Sequence, residues 1–205
     1  MSNEITTLED LESIIGTPLP ATANKVRPSL HPLDRDWLAG SPLVFIATSD
    51  EHGNLDVSPK GDPAGFTKVL DDTTIAIPER PGNRRADGFH NILRNPHVGL
   101  NFVIPGRGDT LRINGRATLI SDAPYFDDLV VRGHRPSLAL VVDIDEVFYH
   151  CSKAFLRSKA WEPEGWNPDA APRRAVIAKA QDRAGEDLEA LDAYYGPSYA
   201  DGIYG

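Results

Sequence analysis

The 205-residue chain is poor in sulfur, with one cysteine, Cys151, and one methionine. A single thiol cannot pair within the chain, so no disulfide framework supports the fold. Lone-cysteine usage fits a reducing compartment. The opening stretch MSNEITTLEDLES is acidic and lacks the apolar core of a secretory signal, so a cytoplasmic location is expected. No apolar run approaches the roughly 20 residues needed to cross a bilayer. Positive charge is also short: 21 Lys and Arg against 30 Asp and Glu leave a net charge of −9. Such a chain repels nucleic acid and anionic lipid, so neither is expected as a partner. The 6 histidines show no ligand-like spacing, and no metal site is expected. There is no G-x-S-x-G elbow and no Walker loop. No strand–helix–strand rhythm appears either, which argues against a doubly wound sheet.

What is present is mostly strand. LVFIATS (43–49) is a continuous apolar run, and LDVSPKG (55–61) alternates. Its Leu55 and Val57 take one face and Asp56, Ser58 and Lys60 the other. Pro59 assigns it to an edge or a bulge. GFTKVL and TTIAIP (65–78) flank an Asp71-Asp72 turn, and HVGLNFVI (97–104) follows. TLRINGRATLI (110–120) alternates throughout, and SLALVVDIDEVFYH (137–150) is the last long strand. Gly106-Arg107-Gly108 lies between two strands, so it reads as a hairpin turn. Six or seven mainly antiparallel strands with short helices between them predict a mainly β fold, a closed or split β-barrel. Helices are expected over 7–15, 33–39 and 122–132. A longer amphipathic one is expected from Arg173, with Ile177, Ala180, Ala184, Leu188, Leu191 and Tyr195 on its stripe. The reading divides the chain into an N-terminal helix and arm (1–32), a barrel domain (33–162) and a C-terminal tail (163–205).

The stretch RPGNRRADGFHNILRNP (80–96) carries the chemistry. Ala86, Phe89, Ile92 and Leu93 form an apolar stripe, Asn83 suits an N-cap, and Asn95-Pro96 is a stop. That reading puts Arg84 and Arg85 in the first helical turn, at the positive end of the macrodipole, where cations are unfavourable unless an anion joins them. With Arg80 they form either a solvated patch or an anion site, for which a phosphate is suited. Lys60 is a further cation on a nearby polar face. Thr110 and Arg112 are either solvent-facing or turned to a polar ligand. Trp161 is either a core aromatic or a stacking surface for a flat ring.

The motifs DVSPKGDP, IPERPGNRR, NPHVGL and TLRINGRA, in that order, resemble the pyridoxamine 5′-phosphate oxidase-related, FMN-binding split-barrel family over about residues 33–162. The resemblance implies a Greek-key antiparallel split barrel with FMN as cofactor and a homodimer with flavin at its interface. It sets the Leu55–Lys60 strand, with Val57, Ser58 and Lys60, beside the flavin. It assigns Ile77 and Pro78 to flavin contact, and Arg84 and Arg85 after Asn83 to its phosphate. A glutamine of the oxidases is replaced by Thr110, two residues before Arg112. The oxidases' C-terminal Trp-Gln-Gly stretch and Arg-x-His pair are missing, so their substrate is not carried over. The resemblance therefore implies a flavin-dependent oxidoreductase with a small-molecule electron donor or acceptor. The alternatives are a deazaflavin-dependent reductase and a non-catalytic flavin- or haem-binding module.

Overall fold

The computed structural model describes residues 3–204. Seven strands form one antiparallel sheet: β1 (Leu43–Ser49), β2 (Leu55–Gly61), β3 (Lys68–Val69), β4 (Thr74–Pro78), β5 (His97–Val103), β6 (Thr110–Ile120) and β7 (Ala139–His150). Their order is β2-β1-β5-β6-β7-β4-β3. The hairpins β1–β2 and β3–β4 sit at opposite edges of the β5–β6–β7 meander, the arrangement of a barrel split along one seam.

The two-residue period builds the core. Val44 and Ile46 of β1, Leu100 and Phe102 of β5, and Leu111 and Ile113 of β6 all turn inward and are buried. The β1–β5 register sets Val44 opposite Phe102 and Ile46 opposite Leu100. Ile75 and Ile77 of β4 and Leu140 and Val142 of β7 close the core from the other side. Each such side chain removed from water contributes about 1.5–3 kcal/mol. The β6–β7 register shifts by one residue between Asn114 and Gly115. Gly115 is required there, because a Cβ would run into the carbonyl oxygen of Asp143.

Helix α1 (Leu8–Ile15) begins as read, with Thr7 Oγ1 accepting from Asp10 N at 3.1 Å. The proline-rich arm differs from a plain extended segment, because Pro20 starts a short helix, α2 (Pro20–Ala23). Helix α3 (Pro32–Gly40) is fixed by the buried Asp34. This carboxylate accepts from His31 N at 2.7 Å and receives the Arg27 guanidinium at 2.6 and 3.0 Å. The helix expected near residues 122–132 is a single 3₁₀ stretch, Pro124–Leu129, which buries Phe126 and Leu129.

Two further expectations need correction. Helix α4 spans only Asp87–Ile92, and its N-cap is Ala86. Asn83 does not cap it. Its Oδ1 accepts from Arg85 N at 3.0 Å, a local turn, and Arg84 and Ala86 both adopt positive φ (62° and 55°), which a helix cannot include. The tail is not one helix. After α5 (Lys153–Ser158), α6 (Arg174–Gln181) and α7 (Leu188–Tyr194) fold against each other as a hairpin. Ala175, Ala178 and Leu191 form their own small core, with Leu188 and Tyr195 beside it. Ala180 and Ala184 of the expected stripe are exposed.

Candidate functional site

Alternation along β2 places Asp56, Ser58 and Lys60 on the half-buried face and Leu55, Val57 and Pro59 outward. Opposite that polar face lies α4, held to β1 by Asn91 Nδ2 donating to Thr48 Oγ1 at 3.1 Å. Asn95 Nδ2 donates to Ser49 Oγ at 2.8 Å just beyond it. Gly88 permits the close approach, since a Cβ there would lie 3.1 Å from Asp56 Oδ2. Between β2, the end of β4, the 79–86 loop and α4 runs a cleft of about 530 Å³. Its floor is apolar, made by Ile46, Phe66, Phe89 and Ile92, and its rim carries Lys60, Arg84 and Arg85. The volume falls in the usual range for small-molecule sites, about 300–1,000 Å³.

The charges on the rim are unequal. Lys60 forms an ion pair with Glu79, and its ammonium lies 4.7 Å from the Phe89 ring centre. Arg85 pairs with Asp87, and that hydrogen bond, with the carboxylate's charge, holds its guanidinium above the ordinary arginine range. Arg84 is exposed and, among the described residues, has no hydrogen-bond or ion-pair partner. Ser58 Oγ donates to Asp56 Oδ2 at 2.7 Å, which orients the polar wall.

Seven of the residues singled out from the sequence line this cleft: Ser58, Lys60, Pro78, Arg80, Asn83, Arg84 and Arg85. Arg80 does so as a wall strut. Its Nε pairs with the buried Asp62 at 2.6 Å, and its two terminal nitrogens donate to the carbonyls of Leu129 and His134 at 2.7 and 3.3 Å. Three of its five N–H donors are thus spent inside the protein, which fixes its guanidinium as part of the wall. Ile77 is 2% exposed and belongs to the core beneath the cleft. Val57, Thr110 and Arg112 lie on the opposite face of the sheet, around a shallower groove of about 390 Å³. Thr110 is buried there, and Arg112 stacks its guanidinium 5.0 Å from the Phe148 ring centre. Trp161 is outside the cleft. Its Nε1 donates to Arg107 O at 2.7 Å and its ring stacks on Phe155 at 5.5 Å.

Sequence reasoning missed the carboxylates that pair with the rim cations, Glu79 and Asp87, and read Phe89 only as part of a helix stripe, not as the floor of a site. Glu79 was foreseeable, because it directly follows Pro78, the last residue of the strand that enters the site.

A sheet open between its edge strands β2 and β3, with a short helix over the cleft beside β2, defines a split barrel. The sequence matches the pyridoxamine 5′-phosphate oxidase family over residues 30–151, more than half of the chain, and the protein belongs to that family. No curated protein matches it. Among solved structures, HupZ of Group A Streptococcus is 20% identical, with a TM-score of 0.47, over 58% of this chain and 93% of that one. A Lactobacillus delbrueckii protein described as a candidate pyridoxamine 5′-phosphate oxidase is 25% identical, TM-score 0.47, over 60% and 95%. An FMN-binding protein of Syntrophomonas wolfei is 12% identical, TM-score 0.43, over 58% and 89%. Among the described residues, no helix is long and apolar enough to cross a membrane.

Proposed function

We propose that the protein is an FMN-dependent oxidoreductase that works as a homodimer on a small-molecule electron donor and acceptor. The observation that carries this reading is one cleft that combines an apolar floor with Lys60, Arg84 and Arg85 on its rim. A flavin mononucleotide has this split character, a flat ring system at one end and a phosphate dianion at the other. The residues fit that group: Arg84, without a partner among the described residues, and the neighbouring Arg85 would hold the phosphate, and Phe89, Phe66 and Pro78 offer apolar surface to the ring. When bound, the flavin supplies the electron-transfer chemistry, and the chain supplies binding, orientation and electrostatics. Lys60, held over the Phe89 face and paired with Glu79, brings a positive charge to the cleft wall.

Homodimerisation is supported by the outward face of the sheet. Phe45, Leu55 and Val57 are 38%, 79% and 61% exposed, an apolar patch that suits a second copy. Beside it Asn101 Oδ1 is buried without a hydrogen-bond partner among the described residues. In such a dimer Val57, Thr110 and Arg112 face the partner rather than the protomer's own cleft. Lone-cysteine usage supports a cytoplasmic setting. The substrate is set apart from pyridoxamine phosphate because the oxidases' C-terminal motifs are missing from this chain.

The test compares FMN with riboflavin by fluorescence quenching on the flavin-stripped protein. One or two charge-assisted phosphate contacts, about 1.5–3 kcal/mol each, predict FMN tighter by roughly one to four powers of ten. Equal affinity for the two flavins would remove the phosphate from the reading.

A further inference from the structure

Among the described residues, helix α1 has no surface that buries it. Leu8, Leu11, Ile14 and Ile15 form one apolar stripe and are 78%, 41%, 66% and 70% exposed. No residue of the helix is buried. An eight-residue helix is marginal in water without packing. Four exposed aliphatic side chains on one face therefore call for a covering surface. The arm as a whole is acidic: residues 3–24 hold Glu4 and, on α1, Glu9, Asp10 and Glu12, and no Lys or Arg.

The complementary surface is α5. Residues 153–159, KAFLRSK, hold Lys153, Arg157 and Lys159 and no acid. Leu156 in the middle of α5 is 69% exposed. Among the described residues Lys153 and Arg157 have no carboxylate partner, and Lys159 pairs only with Glu162, at 3.3 Å. Ala154 and Phe155 of the same helix border the outward groove of the sheet, which continues the apolar surface toward Phe45 and Val57.

We infer that α1 of one chain docks on α5 of a second copy, leucine stripe on Leu156 and acidic flank against Lys153 and Arg157. The root of the arm explains why the partner is a second copy. Arg27 N donates to Val147 O at 3.0 Å and Lys25 Nζ to Tyr149 O at 2.7 Å, so the arm leaves the body close to its own α5. About ten residues connect Lys25 to α1, a reach of up to roughly 35 Å. The protomer's own α5 is therefore within range, yet every residue of α1 stays exposed. Pro18 and Pro20 with the short α2 stiffen the arm in that outward course.

Two full-length chains, both carrying Cys151→Ser, test the exchange. One also carries Leu11→Cys and the other Leu156→Cys. They are mixed and mildly oxidised with flavin stripped off, so the outcome is read apart from the flavin assignment. The expected product is a disulfide-linked pair joining the two substituted positions, mapped by mass spectrometry. No such product would overturn the inference, as would a disulfide formed only when both substitutions are on one chain. Glu9→Lys with Glu12→Lys should slow the cross-link about two- to fivefold, and Lys153→Glu with Arg157→Glu on the other chain should restore it. An unchanged rate in the first pair would overturn the charge-matched docking.

Discussion

Replacing Arg84 with alanine isolates the one rim cation that has no partner among the described residues. Arg85 must share its guanidinium with Asp87, and Lys60 shares its ammonium with Glu79, whereas Arg84 gives up nothing to meet an anion. A charge-assisted contact of that kind is worth about 1.5–3 kcal/mol, so Arg84→Ala should weaken FMN roughly 10- to 150-fold. Arg85→Ala should cost less, because part of what it offers is already spent on Asp87. Asp87→Asn releases Arg85 and should tighten FMN about two- to fivefold, the scale of an exposed ion pair. The apo fold responds differently. Arg84 sits at φ 62°, a conformation costing a non-glycine residue about 1–2 kcal/mol. Arg84→Gly should thus bind FMN as poorly as Arg84→Ala while melting at the same temperature or slightly higher. Isothermal titration with FMN, beside thermal melts of the flavin-free proteins, measures both quantities. FMN affinity unchanged by Arg84→Ala refutes the phosphate assignment, whatever the melts show.

Three other outcomes follow. Gly115→Ala forces a methyl against the Asp143 carbonyl at the β6–β7 bulge and should destabilise by about 1–3 kcal/mol or more in urea melts; a neutral effect would show the bulge to be pliable. Burial pushes the Asp34 carboxyl up, but the Arg27 guanidinium and His31 N–H outweigh it, and the net position is below the ordinary carboxylate range. Its stabilising effect is therefore complete above the unfolded value of about 3.9 and lost as pH falls below it; Asp34→Asn should flatten that acid limb in melts between about pH 5 and 2, and an unaltered limb would contradict the assignment. Pyridoxamine 5′-phosphate should be oxidised negligibly, and turnover at about 1 per second or more in a coupled assay would show the substrate reading to be wrong.

The strands were legible because a half-buried sheet writes a two-residue period into the chain. Asp56, Ser58 and Lys60 were assigned to one face from alternation alone, and that face lines the cleft. The start of α4 was not legible. Asn83 is as good a turn former as a cap, and nothing in the linear pattern reports the positive φ of Arg84 and Ala86. Arg80 looked like its arginine neighbours, yet its partner Asp62 is on the loop after β2, a contact only the folded chain creates. The break between α6 and α7 was hidden for a related reason. The apolar pitch runs on through Ala184, but Gly185 and the charged residues around it form the turn that lets the two helices fold together.

Native mass spectrometry of the protein as purified, followed by identification of the released small molecule, tests the central claim most directly. The account predicts a homodimer carrying FMN, one per protomer, lost on Arg84→Ala with Arg85→Ala while the dimer persists. A deazaflavin, a haem, or a protein that binds no added FMN at micromolar concentration would contradict it.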